Sequence, residues 1–301
     1  MKNKSSVVAS VLAFSLIFGL AQEAGRGPMP KSLGIEDHDY FPENPREYRN
    51  GEFMDFPDWR ADANQPNDVF TFARLRYPTV YDNSGYSFSR RRGGRSTWTT
   101  DYPEGDINLS FRLQQLTSMK VNPNPVIVDI NPEQMRHYPL IYMLEVGHIG
   151  LNDEQALTMR NYMLNGGFIW VDDFWGTDAW DTFEQALKQI WPDRQWVELE
   201  IDHDIFHCVF ELKVKPQIPH IRYKEAVMRG ITWEFDKPGS ETVHYRAIYD
   251  DKKRLCMLIC WNTDTSEGWE QEGSDPWYFT EFSEKYAYPL GINIVFYALT
   301  H

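Results

Sequence analysis

Two adjacent carboxylates open the run Asp172-Asp173-Phe174-Trp175-Gly176. The run follows the apolar stretch Phe168-Ile169-Trp170-Val171 and precedes a helical pattern. In open α/β sheets ligands gather beyond the carboxyl ends of the strands, so this turn stands where a ligand site is expected. Two carboxylates there can hold a hard cation, or one can act as a base. The plainer alternative is that one Asp ties down the loop and the other is solvated. Glu145-Val146-Gly147-His148 ends the preceding apolar run at the same rim. His148 is a candidate acid, base or ligand, weighed against a hydrogen-bonded structural role.

A third stretch, Asp202-His203-Asp204-Ile205-Phe206-His207, has the spacing His-Asp-x-x-His. A zinc protease needs both His on one helical face and a Glu as base. Here Asp stands in place of the Glu, and the flanks make no amphipathic helix. The expected reading is a turn carrying one rim-facing His, with His203 and His207 kept as candidates and no metal assigned. The run Arg90-Arg91-Arg92-Gly93-Gly94-Arg95 places four arginines and two glycines in one loop. They can clamp carboxylates or phosphates, or make a solvated loop. Trp261-Asn262-Thr263-Asp264 and Gly268-Trp269-Glu270 put Trp beside Asn and acids. That suits sugar stacking, although Trp packed over the core is the commoner outcome. Gly-x-Ser-x-Gly, Walker A, Gly-x-Gly-x-x-Gly and paired Cys-x-x-Cys patterns are absent from the sequence.

The elements that must position these residues are legible as alternating apolar runs and helical periods. Residues 70–77 alternate as a strand, and Leu109, Leu113 and Leu116 mark one face of a helix that Asp106 can cap. Runs 125–130, 140–144 and 168–171 read as strands buried on both faces. Asn152, with Gln155 three residues on, makes a capping box for a helix that stops at Gly166-Gly167. Trp180, Phe183, Leu187 and Ile190 mark the next helix, and 196–199 a further strand. Runs 245–249 and 255–260 flank Asp250-Asp251-Lys252-Lys253 as a hairpin, and Pro289 opens a last helix. Strand and helix alternation predicts an α/β fold, a mostly parallel sheet with helices on both faces and a mixed edge.

Three segments follow. Residues 1–21 carry Lys2, Lys4, an apolar core and small residues Gly19 and Ala21, the pattern of a secretory signal peptide. The apolar run is shorter than the ~20 residues a spanning helix needs, and no later segment is long and apolar enough to span a bilayer. Export to the periplasm or outside the cell is therefore expected. Residues 22–68 hold six prolines and many charges and read as a Pro-rich arm, strapped by Phe53, Phe56 and Trp59, or a linker. Residues 69–301 form the α/β domain. With 30 Lys+Arg against 44 Asp+Glu the formal charge is −14, the wrong sign for a phosphate-backbone reader, so no nucleic-acid partner is expected. Cys208, Cys256 and Cys260 are too few for a disulfide framework. Cys256 and Cys260 lie ~13 Å apart along one strand, too far to bridge. Cys208 with either remains open, and buried thiols are the plainer reading.

Residues 70 to 301 resemble a bacterial family, domain of unknown function 4159. The resemblance rests on Phe72-Ala73-Arg74-Leu75-Arg76-Tyr77, Trp98-Thr99-Thr100-Asp101-Tyr102-Pro103, Tyr138-Pro139-Leu140-Ile141-Tyr142-Met143, Gly147-His148, Leu164-Asn165-Gly166-Gly167-Phe168, the Asp172 run, the Asp202 to His207 run, Trp261-Asn262-Thr263-Asp264, Gly268-Trp269-Glu270 and the end from Gly291. Asp204 departs from the family pattern, which favours Pro there. The resemblance implies a flavodoxin-like fold similar to class I glutamine amidotransferases, and no established activity. Those enzymes carry a Cys nucleophile at the turn after a central strand; the matching turn here is Val171-Asp172-Asp173, which removes amidotransfer by that route. It also implies gene neighbours of von Willebrand and chaperone-like ATPase type, hence an envelope assembly as a candidate partner. The expected function is binding of a glycan, another envelope component or a protein at the carboxyl rim. Trp175, Gly176, Asp264, Trp269, Arg74 and Tyr77 are the binding candidates. The alternative is an acid–base or metal-dependent hydrolase using Asp172, Asp173, His148, His203 and His207. No cofactor is required by the sequence.

Overall fold

The central strands of one sheet, residues 140–144, 168–172 and 255–261, are apolar almost throughout because both of their faces are covered. The computed structural model describes residues 42, 44–48, 57–60, 69–79 and 97–301. Residues 1–21, Phe53, Phe56 and the Arg90 to Arg95 cluster lie outside the described residues. The strands are β1 (Ala73–Arg76), β2 (Val126–Asp129), β3 (Leu140–Leu144), β4 (Phe168–Asp172), β5 (Val197–Glu198), β6 (His244–Tyr249) and β7 (Leu255–Trp261). They form one seven-stranded sheet in the order β2-β1-β3-β4-β7-β6-β5. β2, β1, β3, β4 and β7 run parallel; β6 and β5 add an antiparallel edge.

Side chains alternate across the sheet because the strand period is two. Leu140, Tyr142, Leu144, Phe168, Trp170 and Leu258 face one side, with Leu109 and Leu113 of helix α1 (Glu104–Leu116) and Leu290, Ile294 and Val295 of the last helix. Ile141, Met143, Ile169, Val171 and Met257 face the other, with Met159 and Met163 of α2 (Asp153–Leu164) and Phe183, Leu187 and Ile190 of α3 (Gly176–Ile190). The last helix, α4 (Tyr288–Thr300), has Pro289 in its first turn, where the missing N–H costs nothing. Asn152 and Gln155 form the expected reciprocal cap of α2, and Gly166 at φ +105 ends it. Truncating a fully buried aromatic such as Trp170 to Ala would cost about 3–5 kcal/mol.

Two local expectations are corrected. β2 is the outer edge of the sheet and only Val128 of its four residues is buried; its apolar run marks contact with one neighbour rather than burial on both faces. Asp106 does not cap α1. It lies inside the first turn, fully buried against the Arg74 guanidinium, and Pro103 stands at the cap position. All three cysteines are free, which closes the question of a Cys208 bridge. Part of the arm contacts the domain: the Trp59 indole donates to Gln114 Oε1 at 2.9 Å and stacks near Phe111, and Arg46 Nε donates to Asn124 Oδ1 at 3.1 Å. No helix among the described residues is long and apolar enough to cross a membrane.

Candidate functional site

The parallel strands β3, β4 and β7 end at one rim, and each delivers a carboxylate just beyond its last residues. β3 leads to Glu145 at φ 53, β4 to Asp173 at φ 47, and β7 through Asn262 at φ 62 to Asp264. Asp and Asn enter this left-handed region more readily than other side chains. The turn ahead of α1 brings in a fourth acid, Asp101, at φ 58. The chain is tied at each point. Glu145 N donates to Asp173 O at 2.9 Å, Asp264 N to Ile218 O at 2.9 Å, and Gly105 N to Asp101 O at 3.0 Å.

These residues surround a cavity of about 480 Å³. Its lining carries the carboxylates of Asp101, Glu145, Asp173, Glu234, Asp236, Asp264, Glu267 and Glu270 against the cations Arg222 and Lys237. Both cations already engage Glu234, at 3.3 and 3.6 Å. One oxygen each from Asp101, Asp173 and Asp264 lies within 4.8 Å of the other two, and all three residues are buried. Asp101 Oδ2 accepts from Ser266 Oγ at 2.7 Å; Asp264 Oδ1 accepts from Ser266 Oγ at 2.9 Å and Glu267 N at 2.8 Å. Asp173 is 6% exposed, and its carboxylate has no donor or cation among the described residues. Burial, and then the charges of Glu145, Asp101 and Glu234, hold its proton well above the usual carboxylate range. Asp264 is raised the same way, by burial and then by Asp173 and Asp101. The Trp175 indole N–H, in the same wall, also lacks an acceptor among the described residues.

The residues expected from the sequence fall into three groups. Asp173, His148, Trp175 and Asp264 line the cavity together. Asp172, Arg74, Tyr77 and Gly176 stand behind it and hold its walls. Asp172 does not line the cavity and accepts from Tyr142 Oη, Thr265 N and Thr265 Oγ1, each at 3.0 Å. Burial pushes it up to about 7, against the lowering effect of those donors. Arg74 donates to Asp106 Oδ2 at 3.0 Å and to the carbonyls of Trp98 and Thr100, pinning the chain that leads to Asp101. Tyr77 Oη donates to Leu144 O at 2.6 Å and shares a hydrogen bond with Thr97. Gly176 N donates to Asn262 Oδ1 at 2.8 Å; a Cβ on this residue, at φ +79, would meet Pro238 O at 2.8 Å.

The third group lies elsewhere. The His203 ring packs on Tyr297, and its Nε2 is 3.3 Å from Tyr249 Oη; His207 Nε2 bonds the Ile201 carbonyl. Neither lines the cavity, and both flank a short 3-10 turn, Asp204–Phe206, rather than share a helical face. Trp269 is fully buried against Trp170 and Tyr142 and offers no stacking platform. Sequence reasoning did not single out Asp101 and Glu145 as site acids, nor Glu234 and Glu267. The positions were within reach for Glu145, which directly follows a buried strand; Glu234 and Asp101 carry no local signal.

Among curated proteins none matches this chain. The sequence profile of a family described as domain of unknown function (DUF4159) matches residues 71–299. That span includes every strand of the sheet and every residue lining the cavity, so the chain belongs to this family.

Proposed function

We propose that this protein binds a positively charged ligand in the cavity at the carboxyl rim of its sheet. The observation that carries the reading is a concave wall of eight carboxylates, with Asp173 buried and unpartnered among the described residues. A buried carboxylate with like charges around it is destabilised, and a cation relieves that cost. The volume falls within the range of small-ligand sites, and the field of the wall steers cations inward. A glycan or another envelope component fits this wall through an amino group or a bridging cation. The export pattern of residues 1–21 supports an envelope setting. The strand order 2-1-3-4 supports a flavodoxin-like, amidotransferase-like reading of the fold. Cysteine-dependent amidotransfer has no support, because no cysteine lines the cavity.

The test is equilibrium binding of a panel of cationic, neutral and anionic small molecules at low and high salt. Cations should bind, weaken with salt, and weaken further in Asp264→Asn. Preference for anions, or no binding by any class, refutes the reading. Hydrolysis is a second reading because Asp173 and His148 face the same cavity. It requires turnover of an amide or glycoside substrate that disappears in both Asp173→Asn and His148→Gln.

A further inference from the structure

We propose that Asp101, Asp173 and Asp264 together bind a hard divalent cation, with calcium favoured because three protein carboxylates converge where magnesium usually keeps one or two. This deepens the cationic-ligand reading and rests on it. Two oxygens bound to one Ca²⁺ at about 2.4 Å can stand at most about 4.8 Å apart, and at Mg²⁺ distances only about 4.2 Å. One oxygen from each of the three residues falls within 4.8 Å of the other two, inside the reach of one shared cation. Carboxylate oxygens are hard donors, the set that calcium, magnesium and manganese select.

Proximity of acids alone does not make a site, since exposed carboxylates cluster without one. Here the acids are buried, and Asp173 stands out. At 6% exposure its carboxylate accepts no hydrogen bond from any described residue, whereas Asp172 next to it accepts three. The fold therefore satisfies one of two adjacent carboxylates and leaves the other directed at the cavity. Asp101 and Asp264 share the Ser266 hydroxyl, which holds their carboxylates side by side, and neither makes an ion pair with a cationic side chain among the described residues. Three carboxylates supply three to six of the six to eight oxygens calcium takes. The rest of the 480 Å³ cavity has room for waters or for hydroxyl or carboxylate oxygens of an organic ligand. The cation would thus present an open face to the cavity, and a polyol or carboxylate ligand would bind through it.

The experiment is calorimetric titration of the full chain, stripped with chelator, with CaCl₂, MgCl₂ and spermidine separately. Wild type is compared with Asp173→Asn and Asp101→Asn, both checked for native circular dichroism. Asn keeps the shape of Asp and tolerates the positive φ at both positions. One Ca²⁺ per chain, with affinity at least about tenfold weaker in each variant, is the expected result. Mg²⁺ binding without Ca²⁺ overturns the choice of calcium. Calcium binding unchanged in both variants overturns the site. Spermidine binding that depends on Asp173, with no binding of either metal, overturns the metal while leaving the cationic-ligand reading intact. No binding by any of the three overturns both.

Discussion

Replacing Asp173 by Asn should stabilise the cation-free protein. Two unit charges no more than 4.8 Å apart at an effective dielectric of about 20 repel by at least about 3.5 kcal/mol, and Asp173 faces both Asp101 and Asp264. That sum cannot be reached, because the carboxyl escapes by keeping a proton. Starting from an ordinary value of 3.8, holding the group neutral at pH 7 costs at most about 4 kcal/mol, and this smaller quantity sets the ceiling. Asn loses none of it. Allowing for water in the cavity and an imperfectly placed amide, a gain of about 2 kcal/mol is expected, or about 4–8 °C in Tm for a chain of this size. The folded pKa lies above the unfolded one, so the native state retains the proton longer. The wild type's stability relative to the variant is therefore full below about pH 4 and is lost as pH rises through the raised folded value. Thermal and urea unfolding of both proteins in chelator, at pH 4, 6 and 8, measures this. A variant less stable than wild type at pH 8, or a difference that does not grow with pH, refutes the reasoning. Added Ca²⁺ should reverse the order by stabilising only the wild type.

Arg74→Met should cost about 3–5 kcal/mol in urea unfolding, because it leaves Asp106 buried and unpaired; Arg74→Met with Asp106→Leu should recover most of that loss. Gly147→Ala should lower stability by about 1–3 kcal/mol, since its Cβ would sit 2.6 Å from the Ala179 Cβ and push the His148 turn off α3. Tyr142→Phe should cost about 1 kcal/mol by removing one of three donors to Asp172. It should also sharpen the loss of stability between about pH 4 and 7, because Asp172 is held up to about 7 and its favourable neutral form disappears as pH rises. Thiol labelling should modify Cys208 in the folded protein and all three cysteines only after denaturation, since Cys256 and Cys260 are buried in β7 and burial pushes Cys256 to about 12.

Much of the scaffold was legible as local pattern. The runs at β3, β4 and β7 are apolar without interruption because both faces of a central parallel strand are covered, and the α2 cap lies within four residues. The rule that ligands gather beyond strand ends singled out Asp173 and His148, and the Trp-Asn-Thr-Asp loop singled out Asp264; all three line the cavity. β2 misled because a run apolar enough for the interior also suits an edge strand with one neighbour. His203 and His207 lie away from this cavity, because spacing along the chain says nothing about where in the fold a turn is carried.

The sequence by itself determined the alternation of strands and helices, the acidic balance and the presence of acids at strand ends, since each depends on residues a few positions apart. Only the tertiary structure decided which acids meet. Asp101 and Asp264 are far apart in the chain, and they converge because β7 inserts beside β4 while Arg74 and Tyr77 hold the Asp101 approach over β3. It also separated Asp172 from Asp173: Asp172 ends β4 and meets Tyr142 and Thr265, while the chain turns at Asp173, at φ 47, and its carboxylate meets the cavity.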